Sequence, residues 1–154
     1  MSENIQNNIN LINNDQNQSE QDPVMVEINR LIEIYHFDEA KILLEKKLQL
    51  DPNNADLLDT MSEVLLGLDD TENAIKAIKM SISIEPNKNG DKYMTLGQLL
   101  NNCRETLKLY EKGVTVFIDE LNHENDNTRA NDLRNSIASA YSSIAELYMT
   151  TELW

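Results

Sequence analysis

Very few side chains in this sequence could carry out bond-making chemistry. The histidines are His36 and His123, and Cys103 is the only cysteine. Neither histidine stands beside a nucleophile or a set of metal ligands. The stretch HFDEA resembles metal-binding sequence only superficially, because Asp38 and Glu39 open a helical pattern, where carboxylates suit the positive end of the helix dipole. No GxxxxGK[ST] or GxGxxG loop is present to cradle a phosphate. Arg104 beside Cys103 could lower the thiol pKa, yet a small residue at a turn between helices is the better explanation of the position. A lone cysteine makes neither an internal disulfide nor a zinc cluster. We therefore expect no catalytic residues, no metal and no cofactor.

The remaining chemistry is electrostatic. Twenty-seven acids against thirteen bases give a formal net charge of −14. Such a surface repels nucleic-acid phosphates and anionic membranes and attracts basic protein segments; solubility alone is the plain alternative. One group of acids has a telling spacing. In ADLLDTMSEVLLG, Asp56, Asp59 and Glu63 fall at i, i+3 and i+7, so a helix aligns them in one stripe. Leu58, Met61, Ser62 and Leu65 occupy roughly the opposite side. Asp59 and Glu63 repel each other across one turn by about 0.2–0.5 kcal/mol, with no obvious local cation to offset it. A basic ligand would supply the offset.

These residues ride on a helical framework. Glycine and proline are sparse, at four and three, and no alternating Val/Ile/Thr-rich runs suggest strands. Residues 1–22 hold seven Asn and four Gln, too polar to bury a core, and read as a disordered tail. From Pro23 the apolar residues recur at helical spacing. Ile28, Leu31, Ile32 and Tyr35 share one face, and Ala40, Leu43, Leu44 and Leu48 another, before Pro52 stops the helix. The pattern then repeats: Ala40 is answered by Ala74, Leu44 by Ile78, Leu48 by Ile82 and Pro52 by Pro86, each 34 residues on. Between the apolar runs, Asp70 or Thr71 offers an N-cap.

A period of 34 residues is that of the tetratricopeptide repeat, a helix–turn–helix unit in which small residues let paired helices approach. The sequence predicts an all-α tetratricopeptide superhelix of about three and a half units. The boundaries expected are 23–54, 55–88 and 89–118, with a final helix at about 132–152, all within a repeat domain spanning 23–154. The third unit supplies Tyr93, Leu96 and Gly97, then Thr106, Tyr110 and Gly113. Leu96 precedes Thr106 by ten residues where Met61 precedes Ala74 by thirteen, so its turn or first helix is short. The polar stretch DELNHENDNTRAN (119–131) reads as a loop. The final helix carries Tyr141, Ile144, Ala145 and Tyr148 in first-helix register. It is read as half a repeat, acting as a cap or as the start of a further unit.

First helices line the concave side of such arrays, the usual peptide cradle. Asp56, Asp59 and Glu63 should therefore face a ligand there, joined by Asp91 and Gln98 from the third unit and Glu146 from the final helix. Tetratricopeptide domains that clamp acidic chaperone tails place cations on this surface; Asp59 here argues against that role. The net charge likewise argues against single-stranded RNA.

KYMTLGQLL, LKLYEKGVTVF and SIASAYSSIAELYMTTELW go further. Over roughly residues 27–154 the chain resembles the family of assembly chaperones for the large-subunit ribosomal protein uL-four. The resemblance implies capture of the long basic loop of newly made uL-four, and escort of that client into the nucleus and the nascent large subunit. It also implies that family members continue with more helices. Two alternatives remain: an adaptor for another basic protein, and a non-catalytic regulatory subunit. The longest apolar runs fall short of the roughly 20 residues that span a bilayer, and no signal-peptide pattern opens the chain. We expect a protein of cytoplasm and nucleus, with no direct nucleic-acid or membrane partner.

Overall fold

The computed structural model describes residues 22–150. Within them lie seven α-helices: α1 (Pro23–Glu33), α2 (Phe37–Leu50), α3 (Ala55–Gly67), α4 (Thr71–Ile84), α5 (Asp91–Leu99), α6 (Cys103–His123) and α7 (Asn127–Thr150). Each packs on its chain neighbours, so the helices form successive antiparallel pairs.

The 34-residue beat is visible at atomic level. Helix α2 begins and ends 34 residues before α4, and the turn residues Tyr35 and Asp69, also 34 apart, take left-handed φ angles of 60° and 59°. Ala40 and Ala74 are completely buried, as are Leu44 and Ile78. A methyl group is the largest side chain that lets the paired helices come this close, and the branched residues fill the space between pairs. Asn54 and Asp70 cap α3 and α4 by accepting amide hydrogens from Leu57 and Asn73 at 3.0 and 3.3 Å. Helix α2 stops at Leu50 and α4 at Ile84, two residues before Pro52 and Pro86, where the residue preceding proline is pushed out of helical geometry.

The shortening of the third unit lies in its first helix. Helix α5 has 9 residues where α3 has 13. Its close fit against α6 rests on glycine: a Cβ at Gly97 would lie 2.5 Å from the Tyr110 ring. Thr106 seals the same contact, its hydroxyl donating to the Gly97 carbonyl at 3.0 Å.

One sequence expectation needs correction. Residues 119–131 are not a loop: α6 runs to His123, only residues 124–126 connect, and α7 starts at Asn127 with the Asp126 carboxylate accepting from Arg129 N–H at 2.8 Å. The stretch is polar because these turns face solvent, and polarity alone does not break a helix. The final helix thus starts five residues before the expected 132. Tyr141 and Tyr148, in first-helix register, are both exposed, and α7 buries Ala130, Leu133 and Ala140 against α6. The expected disordered tail (1–22) lies outside the described residues except for Asp22, which caps α1 by accepting from Val24 N–H and is ion-paired with Lys47. That contact joins the start of α1 to the end of α2 and holds the Asp22 carboxyl below the usual carboxylate range.

Candidate functional site

The first helices of the second and third pairs, α3 and α5, and the last helix, α7, line two adjoining cavities. The larger, of about 520 Å³, lies between α3 and α5 and is lined by Asp56, Asp59, Glu63 and Asp91 together with Asn89 and Lys92. Four of the six residues singled out by spacing therefore meet in one cleft. The smaller, of about 210 Å³, lies between α5 and α7 and includes Gln98, Ser136, Ser139 and Ser143. Asp91 and Thr95 line both. Glu146 sits on the serine-bearing face of α7 one turn beyond Ser143 and lines neither cavity. Its charge is felt instead by Tyr110, whose hydroxyl is pushed up by burial and then by Glu146.

The stripe on α3 is backed by Leu58, Met61 and Leu65, all buried, whereas Ser62, expected on that opposite side, lines the cavity beside the acids. Its acids differ in surroundings. Asp56 is exposed and paired with Lys88, whose ammonium lies 3.0 Å from it and 3.3 Å from Glu85. The bond to Asp56 is the main reason the Lys88 pKa is raised. Asp59 has no cation. Its Oδ2 accepts from the Asn89 amide at 2.7 Å, while its Oδ1 is buried without a partner. Asp91 is held above the ordinary carboxylate range, first by desolvation in the cleft and next by the charge of Glu120, with Asp59 adding to this and Arg129 opposing it.

Asn89 is the organising residue that spacing could not reveal. Pro52 precedes Leu58 by six residues but Pro86 precedes Tyr93 by seven, so one residue is added in the turn before α5. Asn89 absorbs it in a left-handed conformation, φ 59°, which asparagine tolerates better than most residues. There its backbone N–H donates to Glu120 Oε1 at 2.6 Å while its side chain holds Asp59. One turn residue thus ties α3 to α6 and brings Asp59, Asp91 and Glu120 together.

Lys92 is the cation inside the cleft, yet its charge is spent elsewhere. It is buried, and its ammonium donates to the Glu85 carbonyl at 2.8 Å and the Ser81 hydroxyl at 3.1 Å. Those acceptors end α4, where a cation suits the negative pole of the helix. Tyr93 reinforces the joint by donating to the Pro86 carbonyl at 2.7 Å. The cleft therefore presents net negative charge.

The histidines are exposed and engaged locally, His36 with Glu39 at 3.3 Å and His123 with the Asp119 carbonyl at 2.8 Å. Cys103 is the half-buried first residue of α6. Among the described residues no group of three or more His, Cys, Asp or Glu side chains is placed to hold a metal ion, and no helix is long and apolar enough to cross a membrane.

No family model matches the chain. A Schizosaccharomyces pombe protein described as a probable assembly chaperone of rpl4 is 34% identical over 134 residues, covering 84% of this chain and 39% of that protein. The chain thus spans about two-fifths of that relative's length. Among solved structures, an assembly chaperone of RpL4 (Acl4) superposes with a TM-score of 0.73 at 15% identity, over 85% of this chain and 55% of the other. The tetratricopeptide domain of Sgt2 from Aspergillus fumigatus gives 0.60 at 18% identity, over 86% and 83%. PcrH, solved with the chaperone-binding region of PopD, gives 0.68 at 10%, over 83% and 90%. At such identities these structures speak for the fold alone. The chain has a tetratricopeptide-repeat fold and is similar, across 134 matched residues, to the Schizosaccharomyces pombe protein described as a probable assembly chaperone of rpl4.

Proposed function

We propose that this protein is a non-catalytic, dedicated chaperone that receives a basic segment of uL-four, the rpl4 of its relative, in the cleft between α3 and α5. The carrying observation is the convergence of Asp56, Asp59, Glu63 and Asp91 on one cavity whose buried lysine is bonded to backbone and hydroxyl oxygens rather than to those acids. Desolvation of the Asp91 carboxylate in the cleft raises the energy of the free protein, in line with its raised pKa. A Lys/Arg-rich segment lowers that energy and is itself screened from RNA and from aggregation. Charge complementarity of this kind accelerates capture.

Escort of the client to the nucleus and its hand-over to the large subunit belong to the same proposal, as does residence in both cytoplasm and nucleus. The 34% identity to a protein described as a chaperone of rpl4 supports this choice of client. The direct test is capture of partners from lysate by the intact chain and by a variant carrying Asp56→Lys, Asp59→Lys and Glu63→Lys. The intact chain should recover uL-four and the variant should not, with equal helicity of the two by circular dichroism. Recovery of a different basic protein would favour the adaptor reading, and equal recovery by the variant would remove the cleft from the account.

A further inference from the structure

Asn89 and Gly90 form the only Asn–Gly pair in the chain, and the fold calls for both residues. A Cβ at position 90 would stand 2.6 Å from the Phe117 ring, so the turn packs against α6 only with glycine there. Asn89 takes φ 59°, a conformation that few other side chains tolerate. The pair so fixed is chemically labile. Glycine has no Cβ to shield its backbone nitrogen. As the N-cap of α5, Gly90 also has an N–H for which that helix supplies no carbonyl. Only bond rotation separates its nitrogen from the side-chain carbonyl carbon of Asn89.

We propose that Asn89–Gly90 is a self-modification site, a slow deamidation clock that the bond from Asn89 to Asp59 holds back. In the first step the Gly90 nitrogen gives up its proton and attacks Asn89 Cγ. The new C–N bond closes a five-membered imide, and the side-chain nitrogen leaves as ammonia. Water then adds to one of the two imide carbonyls and opens the ring to aspartate or isoaspartate; no oxidant or cofactor enters. The fold opposes the first step. Asn89 donates its side-chain amide to Asp59 Oδ2 at 2.7 Å and its backbone N–H to Glu120 Oε1 at 2.6 Å. Ring closure requires the side chain to swing off Asp59 toward Gly90. The product then undoes the clasp: a donor to Asp59 becomes a carboxylate facing it, with Glu120 and Asp91 close by, and isoaspartate also lengthens the main chain by a methylene just before α5. Asn54 serves as an internal standard. Its amide is held by Asp51 at 2.9 Å in the turn before α3, but Ala55 follows it, and the Ala55 Cβ shields the nitrogen.

Prolonged incubation of the full chain at mildly alkaline pH tests this, with peptide mapping by mass spectrometry reading the exchange of amide for acid at each asparagine. Asn89 should convert ahead of Asn54, and several-fold faster in Asp59→Ala than in the intact chain. That variant should keep its helicity, because the Asp59 Oδ1 it removes is buried without a partner. Asn89→Asp, the direct product, should melt about 2–4 °C below Asn89→Ala, since it adds repulsion to the lost bond. Equal rates at Asn89 with and without Asp59, or conversion of Asn54 as fast as Asn89, overturns the proposal. An Asn89→Asp variant that melts at or above Asn89→Ala overturns it too, by showing that the product leaves the joint between α3 and α6 intact.

Discussion

The two halves of the surface lined by α3, α5 and α7 share a spacing and differ in chemistry. On α3, Asp56, Asp59 and Glu63 stand at i, i+3 and i+7; on α7, Ser136, Ser139 and Ser143 repeat that spacing. Helix geometry aims both triplets into a cavity, but carboxylates attract basic side chains over a distance and hydroxyls only form hydrogen bonds at contact. Spacing decides where a side chain points, and residue type decides what it can hold. Helix α5 stands between the halves, contributing Asp91 and Thr95 to both.

The largest effect should come from loosening that shared wall. Phe117 is buried on α6, lines the smaller cavity and lies so near Gly90 that a Cβ there would stand 2.6 Å from its ring. Phe117→Ala should lower unfolding free energy by about 3–5 kcal/mol, read by urea denaturation, and should weaken both halves together.

Next comes the contrast itself. Reversing Asp56, Asp59 and Glu63 to Lys should weaken binding of a uL-four loop peptide by about 100-fold, since each lost pair is worth about 0.2–1 kcal/mol and each new lysine repels. The same three lysines at Ser136, Ser139 and Ser143 should change affinity by less than about threefold. Calorimetry decides, and equal losses would erase the distinction between the halves.

Asn89→Ala should cost about 1–2 kcal/mol of stability, removing the bond to Asp59 and straining a left-handed residue. The smallest effect concerns Asp91. Its pKa is raised in the folded state, so its ionised form opposes folding. That penalty is absent below the ordinary carboxylate pKa and grows as pH rises through the raised value. Asp91→Asn should therefore raise Tm slightly at neutral pH, by about 1–2 °C. The gain should vanish as pH falls through the carboxylate range, while peptide affinity drops. A loss of Tm at neutral pH would show that Asp91 is stabilised, not strained, in the cleft.

These outcomes also measure how much the sequence discloses. The pairs α1–α2 and α3–α4 were legible because Ala40/Ala74 and Leu44/Ile78 occupy equivalent buried places, and burial constrains residue type. The polar 119–131 was not, because solvent-facing helix ends tolerate the same Asn, Asp and Glu as loops do. The α3 stripe followed from helical geometry within a dozen residues. The Asn89 clasp did not, because it depends on Asp59 and Glu120, 30 and 31 residues away, meeting at a turn whose φ no local pattern announces.

In the proposed reading, carboxylates of the α3–α5 cleft hold a basic client by charge. Titrating a uL-four loop peptide into the full chain at increasing salt tests it most directly. Affinity should fall steeply with ionic strength, as exposed charges are screened beyond about 8 Å at 0.15 M, with a flat, weak response in the Asp56/Asp59/Glu63 lysine variant. Tight binding that ignores salt in both proteins would contradict it and move the client to an apolar surface.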